Sequence, residues 1–115
     1  MPKSQKIESP IVVEEVKAKI SSKEAIAIAN RFILENMRDR FSAGLPKRMT
    51  FPIKSLWIVP ILLTYPKTGI IGEVGMVAID EEQGAIVGWT PKNEAEKLAR
   101  KLYEERKSDI EIAFS

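Results

Sequence analysis

The chain has 115 residues, of which 18 are basic and 16 acidic, and it contains neither cysteine nor histidine. This length suits one domain with a single hydrophobic core. The missing residue types exclude disulfides, thiolate or imidazole metal ligands, and the nucleophile and base pairs that depend on them. The formal net charge of +2 provides no strong positive field of the kind found in dedicated nucleic-acid binders.

The N-terminal segment has no uninterrupted apolar run of the kind found in a secretory signal peptide. Residues 1–9 are polar and mixed in charge, so we expect them to be poorly ordered ahead of a single domain over residues 10–115. No window reaches the ~18 apolar residues of a membrane-spanning helix, and no export signal is evident. We therefore expect a cytoplasmic protein without a membrane partner.

Abundant Lys, Glu and Ile with few Asn or Gln are typical of a thermophilic source.

Two amphipathic helices are predicted, one on each side of a strand-rich block. Residues 10–20 are rich in β-branched side chains, which indicates a short strand ahead of the first helix. Ser21 and Glu24 fit a capping box, and apolar residues spaced by three and four continue a helix over about 22–41. Thr90 and Pro91 provide an N-cap hydroxyl and a first-turn proline for a second helix over about 91–107.

Three consecutive strands are predicted between the helices. After a loop at 42–52, strands at about 53–65, 70–80 and 85–89 are joined by short turns, so neighbouring strands should be antiparallel. Pro60 cannot donate a ladder hydrogen bond, which favours an edge strand or a bulge at that position. The sequence thus predicts an α+β fold with an antiparallel sheet of three to five strands in a meander, packed against the N-terminal helix.

The first strand of the meander is apolar on both faces, and the tail over 109–114 alternates in a way that could add a further strand here or in a second subunit. This apolar surface exceeds what one small core is expected to bury, which predicts a homodimer. The residues expected to form the interaction surface are Trp57, Val59, Ile61, Leu63, Tyr65, Ile112 and Phe114.

Two other functions stay open at this stage. A pocket between the helix at 22–41 and the sheet could bind a small ligand or act in catalysis, with Glu73 and Tyr65 at its floor. Alternatively, Lys47, Arg48 and Lys54 form a small basic patch near aromatic residues, as in weak single-strand binders, although the charge balance disfavours a nucleic-acid partner.

Metal and phosphate sites are not favoured. Gly69, Gly72 and Gly75 lack the spacing of a phosphate-binding loop and lie within a strand pattern. The acidic run 80–82 supplies too few ligands for a calcium loop, and we expect a solvated hairpin turn in which Asp80 bonds nearby backbone amides. No cofactor and no metal are therefore expected, and the leading prediction is a non-enzymatic interaction module.

The segment Trp57-Ile58-Val59, followed by the hairpin from Val77 to Ile86 with its Asp-x-x-x-Gly turn, resembles PepSY-type or cystatin-like modules over about residues 22–90. In those modules a helix crosses a curled antiparallel sheet. The resemblance implies a non-catalytic binding or inhibitory role, with no catalytic residues to carry over. The chain departs from that pattern in lacking an export signal, in Gln83 before the turn glycine, in Pro60, and in its additional C-terminal helix.

Overall fold

The computed structural model describes residues 19–113, which form a helix, five strands and two further helices in that order. The predicted α+β class and the predicted meander are both confirmed. The elements are α1 (Ser22–Asn36), β1 (Phe41–Ala43), β2 (Lys47–Thr50), β3 (Ser55–Tyr65), β4 (Gly69–Asp80), β5 (Ile86–Trp89), α2 (Lys92–Glu105) and α3 (Lys107–Ala113).

The five strands form one antiparallel sheet in which β3 is central. One edge of β3 pairs with β4 along its length, and β4 pairs with β5. The other edge of β3 pairs with two short strands, β1 at residues 61–63 and β2 at residues 55–58. Both short strands lie in or beside the segment 42–52 that was predicted to be a loop. That prediction failed because strands of three or four residues leave almost no periodicity to read.

Pro60 lies in an interior strand, so the expectation of an edge strand is wrong. Its carbonyl accepts a hydrogen bond from the Gly44 backbone amide at 2.9 Å. The amide and carbonyl of one strand residue point the same way, so the missing donor also faces this side. There the chain passes from β1 to β2, and no ladder bond is lost. The register shifts in β3 lie farther along, between Ile61 and Leu62 and between Leu63 and Thr64.

All three helices contribute to a core on one face of the sheet, which we call the helix face. The helix α1 buries Ala25, Ala29 and Ile33 there, the apolar stripe that the sequence predicted. The small alanines allow the helix backbone to approach the sheet closely. The core residues are Ala25, Ala29, Ile33, Phe41, Val59, Ile61, Leu63, Ile71, Val74, Val77, Ile79, Ala95 and Ile110.

The start of α1 agrees with the prediction and its end does not. The Ser21 hydroxyl accepts from the Glu24 amide at 3.1 Å, and the Glu24 carboxylate accepts from the Ser21 amide at 2.8 Å, which completes the capping box. The helix ends at Asn36 rather than near 41. Phe41 instead lies in β1 opposite Leu63, where its side chain is buried in the core. Its spacing from the helical apolar residues had suggested that it continues the helix.

The C-terminal part differs in two respects. Thr90 does not cap α2, because its hydroxyl accepts a hydrogen bond from the Met76 amide at 3.0 Å in β4. The tail predicted as a strand is the helix α3, in which Ile110 is buried and Ile112 is 71% exposed. An Ile-x-Ile spacing puts both side chains on one face of a strand, but on different sides of a helix. The predicted strand at 10–20 lies largely outside the described residues, and Lys19 and Ile20 are not in a strand.

Gly75 provides a test of this packing. A Cβ added there would lie 2.6 Å from the Thr90 Cβ and 2.7 Å from its hydroxyl. Thr90 cannot withdraw easily, since its amide also donates to the Met76 carbonyl at 3.0 Å. We expect Gly75→Ala to lower the free energy of unfolding by about 1–3 kcal/mol through this overpacking, measured by urea denaturation.

Gly88→Ala is the matched control, because an added Cβ would meet only the Ala78 Cβ at 3.8 Å, an ordinary contact. Its stability should equal or slightly exceed that of the wild type. Equal stability of the two variants would contradict the close contact between Thr90 and β4.

Candidate functional site

The face of the sheet opposite the helices has an apolar surface, which we call the open face. In β3 it presents Leu56, Ile58, Pro60 and Leu62, which alternate with the core residues and are all partly exposed. On the flanking strands it continues with Met49, Ile70 and Met76, whose side chains are 47%, 61% and 45% exposed. The residues of the core cluster do not belong to this face, and no helix within residues 19–113 packs on this side.

The predicted interaction residues lie mainly on the wrong face for that role. Val59, Ile61 and Leu63 are core residues with at most 2% exposure, so they cannot form an exposed surface. Trp57 and Tyr65 lie at the two ends of the same face and are partly buried. β3 is apolar on both faces. The interaction surface was predicted on the face that the helices cover. Ile112 is exposed on α3, and Phe114 lies outside the described residues.

The open face carries few charges. Among its described strand residues, only Lys47, Glu73 and Asp80 are ionisable. Asp80 lies at the end of β4, and its side chain accepts a hydrogen bond from the Glu82 amide at 3.0 Å within the turn. This bond is the one expected from the sequence. Lys47 and Glu73 are both exposed, and they are the two charges available to a partner on this face.

Glu73 is placed differently from the prediction. The sequence grouped it with Ile71, Val77 and Ile79 at the floor of a pocket. Register shifts between β3 and β4 leave Val74 and Ile71 as extra residues, and each shift reverses the alternation of side chains. Glu73 therefore pairs with Leu62 on the open face, and it lines neither a cleft beside α2 nor a groove beside α1.

A cleft of about 410 Å³ opens on the helix side, between the segment after α1, the β1–β3 edge and α2. Its apolar wall includes Phe41, Leu63 and Ala99. Tyr65, the other predicted pocket residue, lines this cleft. No residue of α1 does, so the cleft is not the predicted pocket between the first helix and the sheet. The full lining is Arg38, Arg40, Phe41, Leu63, Tyr65, Glu96, Ala99, Arg100, Tyr103 and Glu104. A smaller groove of about 330 Å³ runs beside α1 near Phe32 and Gly84.

Charged and aromatic groups are ordered around this cleft. Arg38 forms a salt bridge with Glu96 at 2.7 Å, which joins the chain after α1 to α2. The guanidinium of Arg40 lies 5.0 Å from the centre of the Tyr65 ring, a cation–π contact. The Tyr65 and Tyr103 rings are 6.1 Å apart. Partial burial, followed by the neighbouring Glu111 carboxylate, raises the pKa of Tyr103 above its ordinary value of 10.0, so its hydroxyl stays protonated at neutral pH.

The predicted basic patch is largely neutralised by acids. Arg48 contacts both oxygens of the Glu81 carboxylate, at 3.0 and 3.1 Å, in a two-bonded fork. Lys54 lies 3.9 Å from Asp80. Lys47 points to the open face and has no ion pair within the described part of the chain. The three cations therefore do not form a continuous surface for a phosphate backbone.

Glu81 connects four segments of the molecule. Its side chain holds β2 through Arg48, and its amide donates to the Ser55 carbonyl at the start of β3 at 3.1 Å. Its own carbonyl accepts from the Ile20 amide at 2.8 Å, and the Ile20 carbonyl accepts from the Trp57 indole at 3.1 Å. These bonds anchor the segment that leads into α1 beside the β4–β5 turn. The acidic turn at residues 80–82 thus has a structural role.

Within residues 19–113, no group of three or more acidic side chains is arranged to hold a metal ion. None of the helices in that range is long and apolar enough to cross a membrane. Sequence reasoning missed Ile58, Leu62 and Met76 as candidates. The signal was present in the doubly apolar pattern of β3, but it did not indicate which face the helices would cover.

Comparisons with protein-family models, with curated proteins and with solved structures find no match to this chain. The open face and the cleft are therefore the features of the molecule that bear on its function.

The Arg48 fork yields a test of the acidic turn. Glu81 is only 5% exposed, so Arg48→Met leaves a buried carboxylate without its partner. We expect the free energy of unfolding to fall by about 1–3 kcal/mol, measured by urea denaturation.

Lys54→Met is the matched control, since its 3.9 Å contact joins a half-exposed lysine to Asp80. It should change stability by less than about 0.5 kcal/mol. If the two variants were equally stable, Arg48 would not hold the turn, and its guanidinium would be available for another ligand.

Proposed function

We propose that this protein is a non-enzymatic interaction module that assembles as a homodimer through the open face of its sheet. The observation that carries the proposal is the apolar face of β3 left without a helix, with Ile58, Pro60 and Leu62 partly exposed and Met76 beside them. Contiguous apolar patches of more than a few hundred Å² are rare on monomers and mark interaction sites. Covering this patch supplies a third layer to a two-layer domain.

The charges of the open face favour a second copy as the partner. Lys47 pairs with Ile58, two residues before Pro60, on one side of β3. Glu73 pairs with Leu62, two residues after Pro60, on the opposite side. The two charges therefore lie at equivalent positions about Pro60, one positive and one negative. A surface that is self-complementary in this way meets the requirement of a twofold interface, where the same patch serves both subunits.

The geometry of such a dimer follows from strand spacings. A twofold axis lying between the two sheets at Pro60, perpendicular to the line from Lys47 to Glu73, places each Lys47 over the partner copy's equivalent of Glu73. With ~3.3 Å per residue and ~4.8 Å between strands, the strands of the two sheets cross at roughly 70°. That angle is closer to the orthogonal class of sheet packing than to the aligned class.

The size of the face limits the area that a dimer can bury. Two strands of 11 and 12 residues, together with three strands of three or four residues, cover roughly 500 Å² of flat area. That area is less than the ~800 Å² per partner of a standard interface. We therefore expect a dimer that dissociates at micromolar concentrations. A cytoplasmic location and the PepSY-like or cystatin-like resemblance are compatible with this role and belong to the same proposal.

The test exchanges the two charges. Lys47→Glu and Glu73→Lys should each place like charges across the interface and weaken the dimer by about tenfold or more, measured by sedimentation equilibrium of the full chain. The double variant Lys47→Glu/Glu73→Lys should recover most of the wild-type dissociation constant, because every contact is again between opposite charges.

Lys101→Glu is the control, since it reverses an exposed charge on α2, away from the sheet. It should leave the dissociation constant unchanged. A wild-type monomer at high micromolar concentration would refute the homodimer, including the case in which residues 1–18 of the same chain cover the open face. A dimer that withstands both single reversals would show that another surface holds it.

A further inference from the structure

We propose that the cleft between β1, β3 and α2 is a second functional site, which binds a small aromatic carboxylate. The cleft lies on the helix side of the sheet, so it is independent of the open face and of dimer formation. Its volume of about 410 Å³ is within the range of small-molecule sites. Its lining combines an apolar wall with several arginines, an arrangement that selects both the shape and the charge of a ligand.

Two arginines in the cleft are available to an anion. Arg38 is already paired with Glu96 at 2.7 Å. The guanidinium groups of Arg40 and Arg100 form no hydrogen bond or salt bridge with any residue in the range 19–113, although both line the cleft. Glu104 contributes one negative charge, which leaves the unpaired groups with a positive excess. A guanidinium is planar and binds a carboxylate through two parallel hydrogen bonds.

The position of Arg40 is partly fixed before any ligand binds. Its guanidinium lies over the Tyr65 ring at 5.0 Å, and its backbone carbonyl accepts from the Thr64 amide at 2.8 Å in β3. Holding the donor in place lowers the entropy lost on binding. The neighbouring salt bridge between Arg38 and Glu96 also links this segment to α2. Because the Arg38 side chain is largely exposed, the backbone bond of Arg40 is the firmer of these two contacts.

The rest of the lining suits an aromatic body. Phe41 and Leu63 are core residues that contribute to the apolar wall, and Ala99 leaves space on α2 because its side chain is small. Tyr65 and Tyr103 add two rings with their centres 6.1 Å apart. Aromatic ligands gain from edge and offset contacts with such rings in addition to the burial of apolar area. A carboxylate at the arginines and an aromatic ring against the apolar wall together match the basic and the apolar parts of the lining.

The experiment is an amide NMR titration of the full chain with phenylacetate, compared with phenylacetamide, which has the same shape and no charge. Phenylacetate should shift the amides of Phe41, Leu63 and Ala99, and phenylacetamide should bind about tenfold more weakly or not at all. Arg40→Gln and Arg100→Gln should each weaken phenylacetate binding by about tenfold, because each removes a charged donor.

Lys101→Gln is the matched control, since it removes the same charge from the residue that follows Arg100 but does not line the cleft. It should leave phenylacetate affinity within about twofold of the wild type. The proposal is overturned if phenylacetate shifts none of these amides at its solubility limit, if phenylacetamide binds equally well, or if both arginine variants bind as the wild type does. The unperturbed amides of each variant verify that it is folded.

Discussion

The central constraint on this molecule is that β3 is apolar on both faces while the helices cover only one of them. On the helix face, Val59, Ile61 and Leu63 are buried beneath α1 and its neighbours. On the open face, Ile58 and Leu62 are as apolar as the core residues between them but keep contact with solvent. Fully burying an exposed side chain of this size contributes ~1.5–3 kcal/mol. Because Ile58 and Leu62 are already partly buried, covering the open face adds only a part of that amount for each of them.

Two anchors hold the helices on the same side. At one end, Ile20 is bonded to Glu81 and Trp57, which directs α1 across the helix face. At the other, Thr90 is bonded to β4 and lies against Gly75, so the chain enters α2 over the same face. Both anchors use backbone groups of β4 or the turn after it. Because each connection begins on the helix face, α1 and α2 both pack there, and no helix within residues 19–113 covers the open face.

The features that could be predicted from the sequence are those encoded by neighbouring residues. The capping box of Ser21 and Glu24, the turn at Asp80 and the hairpins of the meander all depend on spacings of two to four residues. The unpredicted features depend on residues far apart in the chain. The position of Glu73 follows from register shifts in β4, and the role of Pro60 follows from where β1 ends and β2 begins.

The same distinction applies to the two candidate sites. The apolar excess of β3 was visible in the sequence, and the choice of face was wrong because it depends on the helix connections. The cleft unites Arg40, Tyr65 and Arg100 from three separate segments, and only Tyr65 was predicted to line a pocket. Arg48 was predicted as a nucleic-acid contact, but its pairing with Glu81 across β2 and the β4–β5 turn gives it a structural role.

The most direct measurement is an isotope-filtered NOE experiment on a mixture of differently labelled copies of the full chain. A homodimer formed through the open face predicts methyl contacts between copies that involve Ile58, Leu62 and Met76, and none from the core methyls of Val59 and Ile61. Contacts from the open-face methyls to residues 1–18 of the same copy, or contacts between copies confined to other surfaces, would contradict it.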